Sequence, residues 1–188
     1  MLNNYLRFGN NPAIDFLIKV ALCTLLLSMG GSVIIRKELN VPITLQSLLV
    51  LLPAIWFGWR VGLITVVLYI LAGGFGLSVF AGGTSGWEKI VNPASAGFFW
   101  GFILAAIITG YIAERIKPQE QLKNIGLWFL GHIVILGSGV LWIMQIREDY
   151  WLIVEETAPG LALKAAVGYF FTQLVFRMLV SRKTYYQK

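Results

Sequence analysis

Six apolar stretches of roughly membrane-span length follow one another through this chain, separated by short polar connections. A helix that crosses a bilayer needs about 20 predominantly apolar residues at about 1.5 Å of rise each. Six such helices consume nearly all of the 188 residues, so no stretch remains for a soluble catalytic or nucleotide-binding domain. The composition agrees, with 57% of residues hydrophobic, 13% charged and a mean hydropathy of +0.75, against about 25% charged in ordinary soluble domains. The net charge is +6, but the basic residues are scattered between apolar runs. That pattern fits anchoring at a membrane surface, and no nucleic-acid partner is expected.

The predicted architecture is all-α and polytopic, one integral membrane domain over residues 1–188 in the lipid bilayer. Its six transmembrane helices fall at about 14–35, 43–57, 61–79, 94–116, 123–145 and 159–181. The first run is too long for the apolar core of a signal peptide and no small-residue cleavage pattern follows it, so it is read as a retained span. Pro42 and Pro53 predict a second helix that starts late and kinks. Gly73, Gly74 and Gly76 end the regular part of the third near Ala72. Thr157 and Pro159 are start signals for the sixth. Gly97, Gly101 and Ala105, and likewise Thr24, Ser28 and Ser32, recur every four residues, as small residues do where membrane helices pack closely. Either stripe serves internal packing or contact with another subunit.

Basic residues in the connections set the orientation. With a cytoplasmic N-terminus, Arg7, Arg60, Arg115, Lys117, Lys123, Arg182, Lys183 and Lys188 lie inside, eight in all, against the four outer residues Arg36, Lys37, Lys89 and Arg147. Both termini are therefore expected in the cytoplasm. The outer connections 36–42, 80–93 and 145–158 then carry most of the residues with chemical options.

At the outer entrance of the second helix, Thr44 and Gln46 offer a hydroxyl and an amide, either to a neutral polar solute or as caps for free backbone N–H groups. The connection from Phe80 to Pro93 holds Gly82 and Gly83, which let backbone approach a ligand closely. It also holds Trp87, which can lie against a ring, together with Lys89 and Asn92. Lys164 sits about one turn into the sixth apolar run, where an ionisable group is costly and commonly functional; the alternative is that it snorkels to the outer headgroups. Lys19, at the inner end of the first run, is read as snorkelling. His132, near the middle of the fifth, is read as an interhelical hydrogen bonder. The chain has one histidine and one cysteine, Cys23, so a histidine-based metal site and an internal disulfide are both ruled out. There is no G-x-x-x-x-G-K-[ST] phosphate loop, so ATP-driven work needs a partner. No cofactor is expected.

Several stretches in order carry a family likeness. Val41-Pro42-Ile43-Thr44-Leu45-Gln46-Ser47, Gly76-Leu77-Ser78-Val79-Phe80-Ala81-Gly82-Gly83, Gly97-Phe98-Phe99-Trp100-Gly101-Phe102 with Ala105-Ala106, and Pro159-Gly160 before Lys164-Ala165-Ala166 resemble the BioY family. These are the biotin-binding S components of energy-coupling-factor (ECF) transporters, and the resemblance runs over about residues 14–182. It implies a six-helix membrane protein that takes biotin from outside, with a transmembrane scaffold subunit and two ATPase subunits driving release inward. Three positions depart from the family pattern: Asn92-Pro93-Ala94 stands where Gly-Pro-Thr is usual, Leu161 where an aspartate precedes the lysine, and Leu25 where a second alanine follows Ala21. On this reading the substrate-binding residues are Thr44, Gln46, Gly82, Gly83, Trp87, Lys89, Asn92 and Lys164. Trp87 and the glycines close over the ligand. Which lysine meets the biotin carboxylate is left open by the sequence.

Two other classes compete. One is an S component for a different vitamin. The other is an intramembrane serine protease of the rhomboid kind, because Gly83-Thr84-Ser85-Gly86 matches G-x-S-G and His132 lies on a later helix. Ser85 belongs to an outer connection, whereas His132 lies about 13 Å up its helix from the inner end at helical rise, which separates the two in depth.

Overall fold

The computed structural model describes residues 2–3, 5–36 and 43–185. The expectations that rest on Lys37, Val41, Pro42 and Lys188 lie outside the described residues.

Asn11 and Pro12 open the first helix, α1 (Pro12–Gly31). The Asn11 Oδ1 accepts from the Ala13 N–H at 2.8 Å, and Pro12 occupies the first turn, where its missing N–H costs nothing. The helix ends four residues short of the expected Ile35. The β-branched run Val33-Ile34-Ile35 goes extended instead, and β1 (Ile34–Arg36) pairs antiparallel with β2 (Ile43–Thr44).

Next comes α2 (Gln46–Phe57), a helix buried on every side in which only Leu49 escapes full burial. An apolar helix without a polar face belongs in the middle of a bundle. Gly58 alone joins it to α3 (Trp59–Gly74), with φ +98°, a conformation that L side chains rarely adopt. The two helices fold back so closely that a Cβ on Gly62 would lie 2.5 Å from Ala54 Cβ. Regular helix stops at Gly74, near the position that the glycines predict.

The connection 80–93 is more ordered than a plain glycine link. Phe80 and Thr84 form a β-bridge around Gly82 and Gly83, both at positive φ, and a short helix, α4 (Trp87–Val91), follows. Then come α5 (Ala96–Ala113), α6 (Gln121–Ile143) and α7 (Tyr150–Tyr185). The last begins nine residues before the predicted start at 159. Thr157 does not cap a new helix; its hydroxyl donates to Ile153 O, one turn back at 2.5 Å, and Pro159 lies inside the helix. Among the described residues the main helices are thus six in number, as expected, although they are not all of span length. Four stretches, Pro12–Gly31, Ala96–Ala113, Gln121–Ile143 and Tyr150–Ser181, are long and apolar enough to cross a membrane, while α2 and α3 are shorter.

Helix α1 rests on α2 and α3, α5 contacts α2, α3 and α6, and α6 carries α7 on its other side. The centre is filled by Val50, Leu51, Ala54, Val66, Tyr69, Ala105, Ala106 and Trp128, all fully buried. The stripe on α5 serves internal packing: a Cβ on Gly97 would meet Trp142 at 2.4 Å, and one on Gly101 would meet Ile135 O at 3.0 Å. The stripe on α1 is half-buried. Leu17, Leu25, Met29, Trp100, Leu163, Phe170 and Met178 are exposed, an outer surface suited to lipid.

Lys19 does not snorkel. It is 2% exposed and its Nζ donates to Asn3 Oδ1 at 2.6 Å and to Asp15 Oδ2 at 2.5 Å, with the Phe57 ring 5.2 Å away. The N-terminal segment makes this possible by folding back over the bundle, with Leu2 buried and the Asn3 N–H bonded to Trp56 O at 3.0 Å.

Candidate functional site

The start of α2, the 80–95 segment and the facing parts of α5, α6 and α7 enclose a cavity of about 370 Å³, within the usual range of about 300–1,000 Å³ for small-molecule sites. Its walls are largely aromatic and aliphatic, from Phe80, Phe98, Phe99, Phe102, Ile135, Leu136 and Leu161. Phe80 meets Phe99 edge-on at 4.9 Å, and Phe99 meets Phe102 at 5.8 Å. Between these walls stand the polar groups of Thr44, Gln46, Ser47, Thr84, Lys89, Asn92, Ser95, His132, Thr157 and Lys164.

Five of the eight sequence-predicted residues are brought together here. Lys164 reaches from α7 to the start of α2, its Nζ donating to Ser47 Oγ at 2.7 Å and to Thr44 O at 3.2 Å. That geometry holds the ammonium inside the bundle and excludes its snorkelling to the headgroups. Thr44 and Gln46 are both buried. Neither caps α2, whose N-cap is Leu45 without a side-chain bond. The Gln46 Nε2 donates to Tyr69 Oη at 2.8 Å, and Tyr69 donates onward to Val79 O at 3.0 Å, which ties α2 to α3 and to the segment before Phe80. Lys89 and Asn92 are exposed at the rim. Asn92 Oδ1 accepts from the Ala94 N–H at 2.8 Å, closing the turn into α5.

The other three lie off the cavity wall. Trp87 turns away from it and rests on α3: its ring meets Phe75 edge-on at 5.5 Å, and a Cβ on Gly74 would stand 3.0 Å from it. It therefore does not lie over the cavity. Gly82 and Gly83 shape the turn that carries Phe80 and Thr84; Gly82 N–H bonds to Ser32 O and Gly83 N–H to Phe80 O, each at 2.9 Å.

Sequence reasoning missed Ser47, Phe98 and Phe99 as cavity residues, although each sits inside a quoted motif. It also assigned His132 differently. Its Nδ1 lies 2.9 Å from Trp128 O on its own helix, so the bond is not interhelical, and its Nε2 is buried without a hydrogen-bond partner. Ser85, the nucleophile of the protease alternative, does not border the cavity that His132 borders. Leu161, where the resemblance leads one to expect a carboxylate, forms part of the apolar wall. Among the described residues that line the cavity there is no aspartate or glutamate, and there are two lysines. The site is built to receive acceptor-bearing or anionic groups alongside an apolar body.

The comparisons with known proteins agree. The BioY family model matches residues 6–182. The chain is 37% identical over 134 residues to the biotin transporter BioY of Thermotoga maritima, covering 70% of this chain and 78% of that protein. To the biotin transporter BioY2 of Lactococcus lactis it is 32% identical over 145 residues, covering 75% and 72%. A crystal structure of the S-component for biotin from an ECF-type ABC transporter matches its fold with a TM-score of 0.78, over 90% of this chain and 95% of that one, at 22% identity. A family match over nearly the whole length, relatives above 30% identity and the shared helical architecture together establish that the chain belongs to the BioY family.

Proposed function

We propose that this membrane protein is a substrate-binding component that captures biotin from the outer side and delivers it inward with an ATP-driven ECF module. Family membership makes it a transporter component and not an enzyme. The observation that carries the reading is the cavity: aromatic and aliphatic walls, Lys164 held deep by Ser47 and Thr44, Lys89 at the rim, and no acidic side chain among the described lining residues. Biotin has a matching chemistry, with an apolar thioether bicycle, a ureido carbonyl that accepts, and a carboxylate. The scaffold and ATPase subunits enter the proposal because this chain has no phosphate loop of its own. The excess of eight inner basic residues over four outer ones supports an orientation with both termini in the cytoplasm and the cavity towards the outside.

Equilibrium binding of radiolabelled biotin to the purified chain in detergent tests the reading. Saturable binding displaced by unlabelled biotin and not by thiamine or riboflavin is the expected result. Displacement by another vitamin in preference to biotin would transfer the assignment to that vitamin.

A further inference from the structure

We propose that His132 is a specificity-determining residue of this cavity, its Nε2 accepting a hydrogen bond from one ureido N–H of the ligand. The inference rests on the biotin reading above and assigns a role to a buried group that the fold leaves unused.

His132 is 3% exposed and is one of the residues that border the cavity, and its Nε2 has no partner among the described residues. Its other nitrogen fixes the tautomer. Nδ1 lies 2.9 Å from Trp128 O, and a carbonyl oxygen only accepts, so Nδ1 carries the hydrogen. The ring is neutral because the Lys164 ammonium borders the same cavity and no carboxylate there balances a second cation. In a neutral ring protonated at Nδ1, Nε2 presents a lone pair and no hydrogen.

A buried acceptor is satisfied only by a donor. Three of the cavity's hydroxyl donors are committed: Thr84 and Ser95 donate to Ala81 O and Lys89 O, and Thr157 donates to Ile153 O. On the ligand's side the choice is equally narrow. The ionised carboxylate and the ureido oxygen accept, so the two ureido N–H groups are the donors that biotin brings. His132 Nε2 therefore reads the ureido edge, while Lys164 donates to an acceptor of the same ligand.

The test is a titration of biotin and its two mono-N-methylated ureido analogues into the unaltered chain, His132→Leu and His132→Gln, each checked for folding by size-exclusion profile and melting. Loss of one neutral hydrogen bond to a buried group predicts about tenfold weaker biotin binding by His132→Leu. His132→Gln, whose amide oxygen can replace the acceptor, stays within about threefold. One N-methyl analogue binds the unaltered chain about tenfold more weakly than biotin and loses nothing further in His132→Leu. Undiminished biotin binding by His132→Leu overturns this assignment alone and leaves the biotin reading intact. Should that variant fail to fold, the analogues still decide on the unaltered chain: equal affinity of both for it overturns the assignment. Absence of biotin binding by the unaltered chain overturns the functional reading and this assignment together.

Discussion

Lys164 Nζ lies 2.7 Å from Ser47 Oγ, although 117 residues separate them in the chain. This contact joins the last helix to the start of the most buried one, and it holds a cation inside an otherwise apolar bundle. Its second bond, to Thr44 O, keeps the ammonium in place without the hydroxyl. Ser47→Ala is therefore expected to weaken biotin binding by about threefold, within the range of one hydrogen bond. Calorimetric titration would show it.

The Lys19–Asp15 pair makes the opposite prediction, affecting stability without affecting binding. It lies beside a second, polar cavity bordered by Asn3, Arg7, Arg60 and Glu114, and shares no lining residue with the proposed site. Asp15→Ala leaves Lys19, 2% exposed, with the Asn3 side chain as its remaining described partner, and loss of one charged hydrogen bond of this kind costs about 1.5 to 3 kcal/mol. A lower melting temperature in detergent is expected, with biotin affinity unchanged in the folded fraction. Asp15→Ala with Lys19→Met should recover much of the loss, because no uncompensated charge remains.

Trp87→Ala should change biotin affinity by less than about twofold. The indole rests on Gly74 and Phe75 and not on the cavity wall. Phe99→Ala, which removes an aromatic wall shared with Phe80 and Phe102, should cost about tenfold or more through lost apolar contact. Titration of both variants compares an aromatic of the loop with one of the wall.

Cysteines introduced at Ser85 and Gln119 should react with a membrane-impermeant maleimide from opposite faces, Ser85 from outside. Cys23 is buried and should contribute little background. Labelling of both from one face would contradict the orientation that the basic residues give.

The architecture was legible because bilayer physics leaves few options: apolar runs of span length become helices, and the glycines after Ala72 stop α3 where they should. Lys164 stood out for a related reason, since an ionisable group inside an apolar run is costly; Thr44 stood out for its hydroxyl, whereas what meets Lys164 is its backbone oxygen. What escaped the sequence depended on contacts distant in the chain. Lys19 is buried because the N-terminal segment brings Asn3 over it, although the i,i+4 spacing to Asp15 was a readable hint. Thr157 and Pro159 mimic a helix start, and only the hydroxyl's bond to Ile153 O shows that the helix is already running. The direction of Trp87 depends on Gly74 leaving room for an indole, which no local pattern encodes.

The central claim is that Lys164 lies at the heart of a biotin site, and titration of biotin into the purified Lys164→Met chain tests it most directly. Removing a charged hydrogen-bond donor costs about 1.5 to 3 kcal/mol, so affinity should fall roughly 10- to 150-fold relative to the unaltered chain, with the variant still folded by its melting profile. Binding by folded Lys164→Met as tight as that of the unaltered chain would contradict the account.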